Sequence, residues 1–296
     1  MASSRQDQSG DWSPHSKKAA LRLDMFVLNP EELSSLATKL SGQYAAAEPF
    51  PHVVIDDFLP AEALRKVADS FPKPAEIDWH RSTNPRQKKL AVENETQIND
   101  SARWLLYQLN SATFMKFLET LTGIDGLIPD PYFAGGGLHQ IERGGYLKIH
   151  ADFNVHPKLR LERRLNLLLY LNENWQEEYG GHLELWDKEM SHCVHRILPV
   201  FNRCVIFNTT DFSYHGHPEP LMCPEGMTRK SLALYYYSNG RPDGEASAEH
   251  GTLVKPRPGE MIDGLNGAST AGVLKAKLKR FLPPVVSDIR NYLRRK

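Results

Sequence analysis

The chain has 296 residues, 41% hydrophobic and 24% charged, enough apolar material for one large domain or two small ones, which excludes disorder throughout. Lysine plus arginine equals aspartate plus glutamate at 36 each, so no global charge argues for nucleic acid, a membrane surface or a polyanion as partner. Cys193, Cys204 and Cys223 are odd in number and lack CxxC spacing, which argues against a disulfide framework or a zinc–thiolate site and fits a reducing compartment. The N-terminus has no apolar signal-like run and no window approaches the ~18 apolar residues of a membrane span, so the chain reads as cytoplasmic.

Residues 1–18, rich in Ser, Gln, Asp and Lys, predict a flexible polar tail. The first predicted element is a strand at His52–Asp56. An amphipathic helix follows Leu59-Pro60, carried by Ala63, Leu64, Val67 and Phe71 and stopped by Pro72 and Pro74. Asn84–Lys89 reads as a polar, basic connection, of the sort that can form a lid but is more often a solvated loop. One longer helix is expected from Asp100 to Leu121, with Leu105, Leu109, Phe117, Leu118 and Leu121 on one face and Gly123 as its stop. The stretch 49–125 is thus expected to be a helical support region packed on the core. From 126 to 240 the texture becomes short β-rich runs, with strands expected at Leu138–Ile141, Tyr146–His150, Arg164–Leu171, His182–Trp186, Val194–Leu198, Cys204–Phe207 and Arg229–Tyr237. Many short strands favour a double-sheet jelly roll or barrel. Residues 241–296 are Pro- and Gly-rich, then basic, with eight Lys or Arg against Asp288 over 273–296.

The sharpest local signal is Tyr146-Leu-Lys-Ile-His150-Ala-Asp152. A His and an Asp two apart at a strand end point to the same side and can bind one ion. Alone, such a pair is more often a hydrogen-bonded His beside a turn Asp; with a second His it would complete the facial set that leaves open positions on non-haem Fe(II).

The company of this pair is specific: Tyr170-Leu-Asn172, Gly180-Gly181-His-Leu183, Val205-Ile-Phe207, His215-Gly216 and Arg229-Lys-Ser231 follow in order. The set resembles the prolyl 4-hydroxylase-like branch of the Fe(II)- and 2-oxoglutarate-dependent dioxygenases over roughly 130–240. The resemblance implies an α+β fold, a double-stranded β-helix (jelly roll) with supporting N-terminal helices. It also implies His150, Asp152 and His215 as metal ligands, with Fe(II), 2-oxoglutarate, O2 and ascorbate as cofactors, co-substrates and reductant. Chemistry leaves His215 and His217 open, since residues two apart on an extended segment face the same way. The resemblance favours His215, which holds the His–Gly position, and leaves His217 to line the pocket.

2-Oxoglutarate chelates the metal at its keto-acid end and needs a cation for its distal carboxylate. Arg229 suits that carboxylate through paired charge-assisted hydrogen bonds, and Ser231 on the same strand face adds a donor. In Arg164–Asn172 the residues Leu165, Leu167, Leu169 and Leu171 alternate with Arg164, Asn166 and Tyr170, so one face makes core and the other a polar pocket. By resemblance Tyr170 helps hold the distal carboxylate, and Asn166 is expected at the co-substrate end nearer the metal. His139, His156, His182, His192 and His195 are expected to be non-ligands. The implied activity is hydroxylation of a C–H bond in a peptidyl or small-molecule substrate, with release of succinate and CO2. Two rivals remain. A silent jelly-roll binding module conflicts with the intact ligand set, and a cupin-like metal enzyme without oxoglutarate leaves Arg229 and Ser231 unexplained.

Overall fold

The computed structural model describes residues 26–265; the expected tail at 1–18 and the basic stretch at 273–296 lie outside them. The first element among the described residues is a helix that the apolar periodicity does not announce, α1 (Pro30–Ala46). Its Asn29 side chain accepts from the N–H groups of Glu31 and Glu32 at 2.9 and 3.4 Å, and Pro30 opens the first turn. Strand β1 (His52–Ile55) and helix α2 (Ala61–Asp69) follow as the sequence predicts. The connection expected as a solvated loop is instead a tight hairpin, β2 (His80–Asn84) and β3 (Gln87–Val92), with Ser82 opposite Lys89. The single helix expected over 100–121 is two, α3 (Asp100–Leu109) and α4 (Ala112–Thr122). Asn110 ends the first, and the Ser111 hydroxyl caps the second by accepting from the Phe114 N–H at 3.4 Å.

The remaining strands are β4 (Ile128–Pro129), β5 (Gly137–Glu142), β6 (Tyr146–Ala151), β7 (Glu162–Tyr170), β8 (Leu183–Trp186), β9 (Cys193–Ile197), β10 (Cys204–Asn208), β11 (His215–His217), β12 (Thr228–Ser238) and β13 (Leu253–Val254). They form one curled antiparallel sheet in the order β1-β10-β7-β12-β5-β3-β6-β11-β8-β9. One leaf holds β5, β7, β10 and β12, and the other β6, β8, β9 and β11. β3 pairs with both β5 and β6 and closes one side. This interleaving is the expected jelly roll, although the 49–125 segment supplies strands as well as helices.

Alternation along the strands decides which residues see the interior. Leu165, Leu167 and Leu169 of β7 and Leu232, Leu234 and Tyr236 of β12 face the helices and join Leu105, Leu109, Phe114 and Leu118 in the main core. The opposite faces of the same strands, with Tyr170 packed among Leu183, Leu185, Val205 and Phe207, turn into the roll. The site therefore lies between the leaves, on a scaffold rigidified from outside by helices. Among the described residues no helix is long and apolar enough to cross a membrane.

Candidate metal centre

His150 and Asp152 leave the end of β6 on one side, and His215 on β11 is the cross-strand partner of His150. The two imidazoles lie 4.5 Å apart between centroids. Their Nε2 atoms come within 3.5 and 3.4 Å of the Asp152 carboxylate oxygens. One donor atom from each residue falls within 4.8 Å of the others, so the three could hold a metal ion. His217 is not in this group: the register shifts after His215, so that His217 pairs with Leu147. Gly216 makes that close pairing possible, because a Cβ there would stand 2.8 Å from the Leu147 carbonyl oxygen.

Backbone carbonyls fix the imidazole tautomers. His150 Nδ1 meets the Lys148 oxygen at 2.8 Å and His215 Nδ1 the Ser213 oxygen at 2.9 Å, so each Nδ1 carries the proton and each Nε2 lone pair faces the shared gap. Burial pushes His215 down to about 4, against the pull of Asp152. Burial alone would raise Asp152, yet Arg163 and the two imidazoles hold it well below the usual carboxylate range. At neutral pH the arrangement thus offers a carboxylate and a neutral imidazole without releasing protons.

Asp152 is itself held. Its Oδ2 accepts from Arg163 Nη2 at 3.0 Å and from Asn166 Nδ2 at 2.6 Å. Arg163 is fully buried, with its guanidinium 3.4 Å from the Tyr235 ring centroid and 4.6 Å from that of Phe153. The alternation expected from the sequence fails here, and the failure makes the site. Leu165 faces Tyr236 but Arg163 faces Tyr237, so Arg164 is an extra residue in β7. In an unbroken pleat Arg163 and Asn166, three apart, would point to opposite faces; the bulge puts both on Asp152. Arg164, expected on the pocket face, donates instead to Ser238 and Glu245. Asn166, expected beside the co-substrate, has its amide committed to Asp152 and Arg163.

At the other end of the same cavity Arg229 is 5% exposed and, among the described residues, has no carboxylate partner. Its Nε donates to the Gly181 carbonyl at 2.8 Å and its Nη2 to the Tyr170 hydroxyl at 3.2 Å. Gly181 is at φ +73, where a Cβ would stand 2.6 Å from Leu221 Cδ2 and 3.0 Å from Arg229 Cδ. Ser231 lies two residues on, buried and on the same face. The cavity, about 560 Å³, is also lined by His217, His139 and Lys89. Both ring nitrogens of His217 are buried without a partner, and burial with the nearby Arg229 and Lys89 holds it well below the ordinary histidine range.

Three of the other histidines have hydrogen-bond partners of their own. His182 meets Glu177 at 2.8 Å, His156 meets Asp130 at 3.1 Å and His139 meets the Gly135 carbonyl at 3.0 Å. The sequence reading missed Arg163 and the inward course of Lys89. The run Arg163-Arg164-Leu-Asn166 is a weak signal for the first, since buried arginines need a partner and Asp152 lacked one.

The model of the 2OG-Fe(II) oxygenase superfamily matches residues 136–237. A curated relative, prolyl 3-hydroxylase OGFOD1 of Mus musculus, is 25% identical over 199 residues, which is 64% of this chain and 33% of the relative. The chain thus spans about a third of that relative's length. Among solved structures, a Pseudomonas putida prolyl-4-hydroxylase has a TM-score of 0.48 and 16% identity, over 69% of this chain and all of that one. A Trichoplax adhaerens prolyl hydroxylase in complex with a hypoxia inducible factor peptide fragment has a TM-score of 0.49 and 19% identity, over 70% of this chain and 91% of that one.

Proposed function

We propose that the chain is a member of the 2OG-Fe(II) oxygenase superfamily and a dioxygenase that uses Fe(II) and 2-oxoglutarate to hydroxylate a C–H bond of a peptidyl or small-molecule substrate. The observation that carries the reading is Arg229. A buried guanidinium without an acid partner is costly unless an anion completes it, and this one shares a cavity with three donors grouped for a metal.

The donor set fits ferrous iron: two imidazoles and one carboxylate, with no thiolate. Bound iron and 2-oxoglutarate would supply the oxidising chemistry, with succinate and CO2 released. The chain's own residues supply geometry. His150 and His215 present fixed Nε2 lone pairs, while Arg163 and Asn166 occupy Asp152 Oδ2 and leave Oδ1 as the free donor. Arg229, oriented by Gly181 and Tyr170, takes the distal carboxylate, with Ser231 as a further donor.

A peptidyl substrate has support in the name of the curated relative, which acts on prolyl residues. A cytoplasmic location agrees with the free state of Cys193, Cys204 and Cys223. We take 126–240 as the catalytic core and 49–125 as its support. The test is anaerobic titration of Fe(II) and 2-oxoglutarate into wild type, His150→Ala and Arg229→Ala. Wild type binds both, His150→Ala loses the metal, and Arg229→Ala keeps the metal and loses 2-oxoglutarate. A wild type that binds no 2-oxoglutarate in the presence of iron ends the reading.

A further inference from the structure

The cavity holds one cation more than this chemistry uses. Lys89 sits on β3, which is paired on both sides: Ser82 of β2 lies opposite Lys89, Leu90 opposite Gln140 of β5, and Lys88 opposite Tyr146 of β6. The lysine stem therefore rises from sheet rather than from a loop. Leu90 and Val92 point to the helix-side core, while Gln87, Lys89 and Ala91 alternate into the cavity. Among the described residues no carboxylate lies within ion-pair distance of the Lys89 ammonium. The acid whose field reaches it is Asp152, which Arg163 already holds. Burial pushes the ammonium below the ordinary lysine range.

A charge count over the loaded cavity shows what is left. Arg163 matches Asp152, and Arg229 matches the distal carboxylate of 2-oxoglutarate. The proximal carboxylate cancels only one of the two positive charges on the metal. Lys89 is then surplus, beside a centre that is still positive. Asp78 and Glu93 also line the cavity, but both are exposed, where water screens them, and Glu93 accepts from the Gly135 N–H at 2.6 Å. A half-buried surplus cation without an acid partner is favoured by an anion in the one place still to be filled, the substrate position. A single ammonium with no guanidinium beside it free to fork suits a monoanion.

We propose that Lys89 selects the substrate by binding a carboxylate carried close to the carbon that is hydroxylated, so that the enzyme acts on acidic small molecules or on peptides with an acidic residue beside the target. This rests on the dioxygenase reading above, and the test keeps the two separate. Matched pairs serve as probes: free aspartate and glutamate against asparagine and glutamine, and proline-containing peptides with Glu or Gln next to the proline. Binding is measured to the Mn(II)–2-oxoglutarate complex without oxygen, and gain of one oxygen atom by mass spectrometry with Fe(II) in air. Wild type prefers the acidic member of at least one pair by about tenfold or more, a difference of about 1.4 kcal/mol. Lys89→Met abolishes that preference, Lys89→Arg keeps part of it, and Lys89→Glu reverses it towards lysine-containing peptides. Equal treatment of acid and amide by wild type, or no selective binding of any pair, overturns the proposal. So does a preference that survives in Lys89→Met. The 2-oxoglutarate affinity of each variant is read in parallel: a tenfold loss there with substrate discrimination intact assigns Lys89 to the co-substrate instead. Failure of wild type to bind 2-oxoglutarate at all defeats the dioxygenase reading rather than this one.

Discussion

Replacing Arg229 by alanine separates binding of the co-substrate from binding of the metal. Two of the guanidinium nitrogens are committed to the Gly181 carbonyl and the Tyr170 hydroxyl, which aim the remaining donors into the cavity. Truncating one member of a buried, hydrogen-bonded charge pair costs about 2–5 kcal/mol, so 2-oxoglutarate affinity should fall by about 30- to 4,000-fold. Lysine at 229 retains charge but not the planar fork and should recover only part of the loss. Tyr170→Phe removes one orienting hydrogen bond, about 0.5–1.5 kcal/mol, and should weaken binding by about 2- to 13-fold. Calorimetry on the Mn(II)-loaded protein measures these affinities. Thermal unfolding supplies a control, since 2-oxoglutarate at 100 times its Kd should stabilise wild type by about 2.7 kcal/mol and leave Arg229→Ala nearly unmoved. Folded Arg229→Ala that binds 2-oxoglutarate within threefold of wild type would refute the placement of the distal carboxylate.

Arg163→Met strands a buried carboxylate and should destabilise the metal-free protein by about 3–5 kcal/mol, part of it restored by metal; denaturant unfolding with and without Mn(II) checks this. Gly181→Ala forces a side chain onto φ +73 and against Arg229, so 2-oxoglutarate affinity should drop while metal affinity holds, as paired titrations would show. His215 has a folded pKa of about 4 against 6.5 unfolded, so the unfolded state binds more protons between those values. Its contribution to stability is present above pH 6.5 and is lost as pH falls towards 4, about 3 kcal/mol over that window. His139 and His217 are pushed the same way. Metal-free wild type should therefore lose stability across this range more steeply than His215→Gln, measured by unfolding against pH.

His150 and Asp152 were legible because a strand's two-residue repeat fixes their common side, whatever the rest of the fold does. Arg229-x-Ser231 was legible for the same reason. Arg163 was not, because a bulge breaks that repeat at Arg164 and no residue type there announces it. Lys89 was hidden by composition: Asn84-Pro-Arg86 looks like a loop, and only pairing with β5 and β6 makes β3 an inner strand. Helix α1 escaped because few apolar residues mark its buried face, leaving the Asn29-Pro30 cap as its main signal. The split between α3 and α4 lies at Asn110-Ser111, two residues that a smooth apolar period passes over. His215 could be preferred to His217 from its glycine neighbour, but the register shift after His215 is what separates them in space.

On the proposed function this chain couples dioxygen to 2-oxoglutarate at His150, Asp152 and His215. Incubating iron-loaded protein with 2-oxoglutarate under isotopically heavy dioxygen tests it without knowledge of the substrate, because succinate can form in its absence. Wild type should form succinate carrying a single heavy oxygen atom, and His150→Ala should form none. Absence of succinate at saturating 2-oxoglutarate, or succinate without the label, would rule that coupling out.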